Sequence, residues 1–256
     1  MTATYLYCIV KSATEPSTAR CPEGLPGAER PQAVAVGRTL WLIVAAVPLS
    51  IYGPEHLERR LSDMDWVGPA ALAHESVVEH FARRAGATVI PMKLFTMFSN
   101  VDRAVADVAQ RKAPIAAAMR RIGGAEEWGV RVLRDPAAPV ARAAATQASS
   151  GAAFLAAKKK AKDDAKSSRL AAGEAAADVF NELVTIARDA RRRSDAPAAG
   201  ATPPLLDAAF LVPLTSRGRF KKAATAAAAR CAAAGAQMTV SGPWPAYNFV
   251  QEEVDR

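Results

Sequence analysis

The hydrophobic positions in the first half of the chain form short runs that are typical of β-strands. Thr4–Val10 is rich in β-branched and aromatic residues and contains no breaker, so it predicts a strand. Ala33–Val36 and Leu40–Val47 flank a turn at Gly37 and predict a hairpin, because glycine tolerates the positive φ of a tight turn. Thr88–Phe98 predicts a further strand of this half.

Apolar residues at helical spacing appear around that last strand. A first helix is predicted from Gly53-Pro54-Glu55 and a second from Pro69 to Arg84. Ser99-Asn100 can cap a third helix, which Pro114 is placed to kink or divide. Residues 1–125 are therefore predicted to follow the order β–β–β–α–α–β–α.

In the second half, strand-like runs alternate with alanine-rich helical stretches. A long helix is predicted from Ala152 to Arg192, where only Gly173 weakens the pattern, and another over Arg217–Ala234. Three strands are predicted, at Trp128–Leu133, Leu205–Leu214 and Gln237–Ser241. A further helical stretch is predicted at Ala141–Ala148, and Ser194–Pro204 has the composition of a linker.

These patterns predict an α+β fold with two ferredoxin-like domains, each a mixed or antiparallel sheet with helices on one face. The first domain is predicted to cover residues 1–125. The second is predicted to cover residues 126–256 and to contain the long, basic, alanine-rich helix and an aromatic C-terminal tail.

Composition and charge limit the classes of function. Alanine accounts for 59 of the 256 residues, so large apolar side chains must be clustered. The formal net charge of +8 arises in Lys158–Arg193 and Arg217–Arg230. The longest apolar run is too short to span a bilayer, no signal peptide is recognisable, and the three cysteines form no CxxC pair. These features predict a cytoplasmic protein without a membrane segment.

The sequence contains no motif that identifies an enzyme class. Neither GxGxxG, GxxxxGK[ST] nor GxSxG occurs. His74 and His80 are six residues apart on a predicted helix, on different faces, so they do not match the HExxH pattern of zinc peptidases. We expect no metal, no cofactor and no enzymatic activity.

The C-terminal segment Gly242–Val250 is unusually aromatic for this chain. Prolines on both sides of Trp244 favour an extended path. Two interpretations remain open: the segment packs over its own domain, or it docks a partner through Trp244 and Tyr247.

Several segments occur in an order that is shared with a known family. They are Tyr5–Val10, Leu72–Glu79, Thr88–Phe98, Glu127–Val132, Gly151–Leu155 and Gly242–Val250. Their ordered combination over nearly the whole chain resembles the gas vesicle protein family GvpL/GvpF.

The resemblance implies two modified ferredoxin-like domains and a non-enzymatic accessory or minor structural role in the gas vesicle. The implied partners are the shell protein GvpA and other gas vesicle accessory proteins, with no small-molecule substrate. The implied task is to assist nucleation or assembly by keeping shell subunits from aggregating.

The family-motif positions are expected to be structural or partner-binding. They are His74, Glu75, Val78, Glu79, Pro91, Lys93, Thr96, Phe98, Gly129, Gly242, Pro243, Trp244, Pro245, Tyr247 and Phe249. Two positions depart from the family pattern: Phe95 and Cys8 each stand where the family usually has glycine.

Two other hypotheses can be stated. The basic segments Lys158–Lys162 and Arg217–Lys222 could make the chain a nucleic-acid-binding module, although they lack interleaved aromatic residues. An enzyme using His74 or His80 as a general base is the other.

Overall fold

The computed structural model describes residues 1–135, 151–193 and 202–250, and it has an α+β architecture. Two antiparallel sheets each pack against helices. The described chain divides into a first unit, Met1–Gly124 together with residues 244–250, and a second unit, Ala125–Pro243. No helix of the described residues is both long and apolar enough to cross a bilayer.

The first unit contains five strands: β1 (Thr2–Lys11), β2 (Gln32–Ala35), β3 (Leu40–Pro48), β4 (Thr88–Pro91) and β5 (Met97–Phe98). Their order is β2-β3-β1-β4, and β5 pairs with β1. β1 is central and almost fully buried, which explains its uninterrupted apolar sequence. The predicted strand and the predicted hairpin are both confirmed, with β2 and β3 antiparallel.

Thr88–Phe98 does not form one strand, so that prediction is wrong in its middle. β4 ends at Pro91 and β5 begins at Met97. Between them Phe95 takes a φ of 63°, a left-handed conformation that a continuous strand cannot contain. The intervening loop is the part of the segment that reaches the candidate site.

The helices of the first unit are α1 (Leu49–Tyr52), α2 (Pro54–Arg60), α3 (Met64–Ala82), α4 (Val101–Gln110) and α5 (Lys112–Ile122). The predicted start at Pro69 is wrong, because the Asp63 side chain caps α3 by accepting from the Asp65 amide and Pro69 lies inside the helix. Asn100 caps α4 as predicted, and the long third helix is divided ahead of Pro114.

The second unit contains β6 (Ala125–Arg134), α6 (Gly151–Val184), β7 (Asp189–Arg192), β8 (Leu206–Pro213), α7 (Arg217–Ala233) and β9 (Ala236–Trp244). The strand order is β7-β8-β6-β9, and β8 is antiparallel to both of its neighbours. The predicted long helix is wrong at its end, since β7 occupies its last residues. The predicted helical stretch Ala141–Ala148 and most of the predicted linker lie outside the described residues.

The core of the second unit compensates for its many alanines with a few large rings. Trp128, Phe210 and Phe220 are buried, and the Phe220 ring contacts Trp128 and Phe210 with centroids 5.9 and 5.7 Å apart, respectively. Small residues on α6 and α7 pack around these rings. Ala172, Ala176, Ala224 and Ala227 are all buried, so both helices approach the sheet closely.

The C-terminal tail was predicted to belong with residues 126–256, and the structure differs at this point. Residues 244–250 lie with the first unit. Tyr247–Phe249 forms a 3₁₀ turn, and Phe249 and Val250 are buried. The contacts that hold the tail there belong to the candidate site.

Candidate functional site

The site centres on His74, whose imidazole is buried between α3 and β1. The Tyr5 hydroxyl lies 2.7 Å from Nδ1, and Nε2 lies 3.1 Å from the Met92 carbonyl oxygen. A carbonyl only accepts, so Nε2 carries the proton, and the neutral ring accepts from Tyr5 at Nδ1. The Phe95 amide donates to the Tyr5 hydroxyl at 3.2 Å, which completes a chain of hydrogen bonds.

The surroundings of His74 keep its ring neutral. Burial lowers the pKa of His74 to about 4, and the bond to Met92 opposes this shift only in part. Burial raises the pKa of Tyr5. Both ring nitrogens of His74 are occupied by internal partners, so this residue ties α3 to β1 and to the β4–β5 loop. The arrangement offers no free nitrogen for the general-base role considered above.

Tyr7 stacks on the same imidazole ring. Its ring stacks on His74 at 5.7 Å between centroids, and its hydroxyl accepts a bond from the Leu25 amide at 2.9 Å. Gly24 permits this approach: its φ is +87°, and an added Cβ would lie 2.3 Å from the Tyr7 hydroxyl oxygen. The loop before β2 is thereby fastened to the strand that carries Tyr5 and Tyr7.

Gly24→Ala should lower the free energy of unfolding by about 2–4 kcal/mol, of which about 1–2 kcal/mol is the cost of positive φ and the rest is overpacking against buried Tyr7. The matched control is Gly86→Ala, with φ +77° and nothing within 4 Å of the added Cβ. The Gly86→Ala variant should lose only the part of the unfolding free energy that comes from the positive φ, about 1–2 kcal/mol. Urea denaturation compares the two, and equal losses would contradict the role of Tyr7.

Glu75, the residue after His74 on α3, binds the C-terminal tail. The Tyr247 hydroxyl donates to Glu75 Oε2 at 2.5 Å, while the buried Oε1 has no hydrogen-bond partner among the described residues. Burial raises the pKa of Glu75 despite the bond from Tyr247. The Arg121 guanidinium of α5 donates to the Phe249 carbonyl oxygen. These bonds explain why the tail belongs to the first unit.

Phe95 is part of a group of three aromatic rings, of which Phe95 and Trp66 are partly buried and Tyr52 is fully buried. Its ring stacks on Trp66 with centroids 5.5 Å apart and planes at 17°, and Tyr52 lies 6.3 Å from it. The Arg60 guanidinium sits 5.6 Å from the centre of the Trp66 ring. The position expected to be glycine is thus a left-handed position, and here the aromatic contacts retain a phenylalanine in it.

Phe95→Gly should be more stable than Phe95→Ala by about 1 kcal/mol. Both variants lose the stack on Trp66, but only alanine keeps a Cβ at positive φ. Urea denaturation of the two variants measures the difference. An alanine variant at least as stable as the glycine variant would show that the backbone relaxes away from this conformation.

The other motif positions of the first unit support the fold in different ways. Val78 is buried in the core, and Glu79 forms an ion pair with Arg83. Pro91 ends β4, and the Thr96 hydroxyl donates to the Lys93 carbonyl oxygen at 2.8 Å within the loop. The remaining two are Lys93, which is exposed, and Phe98, which pairs with Thr4.

The remaining motif positions do not converge on His74. Gly129 lies in β6, where an added Cβ would come 2.6 Å from the Ser241 hydroxyl oxygen. Gly242 and Pro243 lie in β9, Pro245 is buried, and Trp244 is 41% exposed. The structure therefore brings together His74, Glu75 and Tyr247, holds Phe249 of the same tail through Arg121, and distributes the others.

Sequence reasoning missed Tyr5 and Arg121. Tyr5 and Tyr7 alternate along β1 and so share a face, which was a usable signal. No sequence pattern indicated the Met92 carbonyl or the partner of Arg121. His80 does not join the site: its Nε2 lies 2.7 Å from Arg84 Nη2. Among the described residues, no group of three His, Cys, Asp or Glu side chains is placed to hold a metal ion.

Comparisons with known proteins agree with this picture. The family model described as "Gas vesicle synthesis protein GvpL/GvpF" matches residues 3–251. A relative from Streptomyces sp. (strain CB03234), "Gas vesicle protein L", is 28% identical over 96% of this chain and 91% of its own length.

Two solved structures share the fold. The crystal structure of GvpF from Anabaena sp. PCC7120 aligns with a TM-score of 0.67 at 15% identity, covering 98% of this chain and 99% of its own. That of GvpF from Microcystis aeruginosa aligns with a TM-score of 0.66 at 12% identity, covering 98% and 100%. The fold and the family match define the molecule as a gas vesicle protein. The chain belongs to the GvpL/GvpF family.

Proposed function

We propose that this chain is a non-enzymatic accessory or minor structural protein of the gas vesicle that binds the shell protein GvpA and assists nucleation or assembly. The observation that supports the proposal is that the motif side chains around His74 make hydrogen bonds within the protein. Both ring nitrogens of His74 are hydrogen-bonded within the protein, and Tyr247 donates to Glu75. These side chains therefore form a structural scaffold. The family match over residues 3–251 supports a gas vesicle role for that scaffold.

The proposed task is to mask apolar segments of shell subunits before they polymerise. Subunits that expose such segments aggregate unless a partner covers them. The first unit offers apolar side chains for this purpose at the α2–α3 turn, where Leu61 is 54% and Met64 is 72% exposed. Trp66, two residues after Met64, and Phe95, which stacks on Trp66, are partly buried.

The proposal extends to architecture and location. The β–α–β–β–α–β order of the second unit and its strand order support a ferredoxin-like assignment. We propose a modified version of the same fold for the first unit, in which no helix follows β1. The site of action is the cytoplasm, at the growing gas vesicle.

Co-purification with GvpA tests the proposed function. The tagged full chain should retain GvpA, and Leu61→Ser/Met64→Ser should retain much less. Leu214→Ser, a change at a 50% exposed leucine of the second unit, is the matched control and should bind normally. Absence of binding to GvpA and to every other gas vesicle protein, together with normal vesicles in a deletion strain, would disprove the proposal.

A further inference from the structure

The two halves of α6 have different surroundings. In the C-terminal half, Ala172, Ala176, Val179 and Leu183 are buried at helical spacing against the second unit's sheet. In the N-terminal half, none of the described side chains from Ala152 to Ala171 is buried. Helix-forming alanine favours this segment, but tertiary packing contributes little to it. Within the residues that the structure describes, about five turns of helix thus contribute no side chain to the core cluster of the second unit.

The uncovered half of α6 carries an excess of positive charge. Its cations are Lys158, Lys159, Lys160, Lys162, Lys166 and Arg169, and its anions are Asp163 and Asp164. Within the described chain, none of these six cations is paired with a carboxylate. The second unit satisfies other surface arginines internally, as in the pair of Arg230 with Glu182.

Three of these lysines share one helix face with two exposed leucines. At about 100° per residue, Leu155, Lys159, Lys162, Lys166 and Leu170 fall within a sector of about 80°. The two leucines are 66% and 58% exposed, and they lie at the two ends of this face along the helix axis, about 22 Å apart. This sector, the Leu155–Leu170 face, is distinct from the sector that docks on the sheet.

We propose that the Leu155–Leu170 face binds an acidic amphipathic helix of a partner protein. The partner's carboxylates would lie opposite the three lysines, and its apolar side chains would cover the two leucines. Charge complementarity sets the choice of partner, since unpaired lysines on a dry interface need anions. That the partner is another gas vesicle component rests on the proposed function.

The same face fits nucleic acid and membranes less well. Asp163 lies beside the lysines and would repel phosphates, and the uncovered half has only one aromatic ring, Phe154, outside the face. A membrane-bound helix separates an apolar face from its cations, whereas here the lysines lie between the leucines. An acidic helix with apolar ends satisfies both kinds of side chain.

A peptide titration with the purified full chain tests the chemistry. The probe is a synthetic helical peptide with two leucines and three glutamates on one face at the same spacing, and its twin has glutamine for glutamate. The glutamate peptide should bind, with affinity that falls as salt is raised, and the glutamine twin should bind at least ten-fold more weakly. Equal binding of the two peptides, or none, would overturn the proposal.

Charge-reversal variants locate the contact. Lys159→Glu/Lys166→Glu should weaken glutamate-peptide binding at least ten-fold, whereas the matched control Lys158→Glu/Lys160→Glu, off the face, should change it less than three-fold. Circular dichroism checks that both remain folded. Equal losses would overturn the proposal, as would tighter binding of duplex DNA or anionic vesicles than of the peptide.

Vesicle formation separates this inference from the proposed function. In a strain that lacks the gene, wild-type chain and Lys158→Glu/Lys160→Glu should restore vesicles, and Lys159→Glu/Lys166→Glu should restore far fewer. Full restoration by the last variant would overturn the inference alone. Normal vesicles in the strain without any copy of the gene would overturn the proposed function and the gas vesicle partner with it.

Discussion

Phe249→Ala should destabilise the first unit by about 3–5 kcal/mol, although this residue follows the whole second unit in sequence. The Phe249 ring is fully buried, and its carbonyl accepts from Arg121 of α5. Truncation leaves a cavity in the unit that also contains His74. All four tyrosines of the chain lie in this unit, so ring-labelled tyrosine NMR during urea denaturation reports on it directly.

Trp244→Ala is the control, because Trp244 belongs to the same tail but is 41% exposed. Its loss should be clearly smaller than that of Phe249→Ala. Hydrogen exchange in β8 should stay at the wild-type rate in both variants. If Phe249→Ala accelerated exchange in β8 as much as in β1, the tail would stabilise the second unit instead.

Acidification should weaken the first unit through His74. The pKa of His74 is about 4 in the folded chain against 6.5 in the unfolded chain, so the unfolded chain binds the proton more readily between these values. Stability from this residue is therefore present above pH 6.5 and is lost as the pH falls to about 4. The shift corresponds to about 3 kcal/mol.

The His74 contribution is isolated by comparing the pH dependence of wild type and His74→Asn in urea denaturation. Glu75 acts in the opposite direction, because its raised pKa makes protonation favour the folded chain. It is present in both proteins, so its effect cancels. His56→Asn removes an imidazole outside the network and should keep most of the wild-type slope. An unchanged slope in His74→Asn would refute this role for the buried ring.

Local patterns in the sequence predicted the elements whose partners are near in the chain. The β2–β3 hairpin follows from two apolar runs and a glycine, and the cap of α4 follows from Asn100. The antiparallel pairing of β6 with β8 and the early end of α6 at Val184 did not follow. β7 has the composition of a helix end, and only its pairing with β8 makes it a strand.

The candidate site shows the same division. The motif on α3 drew attention to His74 and Glu75, but their partners come from β1, the β4–β5 loop and the tail. The carbonyl of Met92 has no sequence signature, since every residue has one. The left-handed position of Phe95 was visible only as a departure from an expected glycine. The stack on Trp66 explains why a phenylalanine occupies this position.

By itself, the sequence determined the α+β class, the family resemblance and the segments that hold large apolar side chains, because periodicity and composition act over short distances. Only the tertiary structure decided that the tail returns to the first unit, that His74 is neutral with both ring nitrogens hydrogen-bonded, and that the described side chains in the N-terminal half of α6 are not buried. These features depend on contacts between residues far apart in the chain. Such contacts determine which side chains are buried, and burial in turn lowers the pKa of His74.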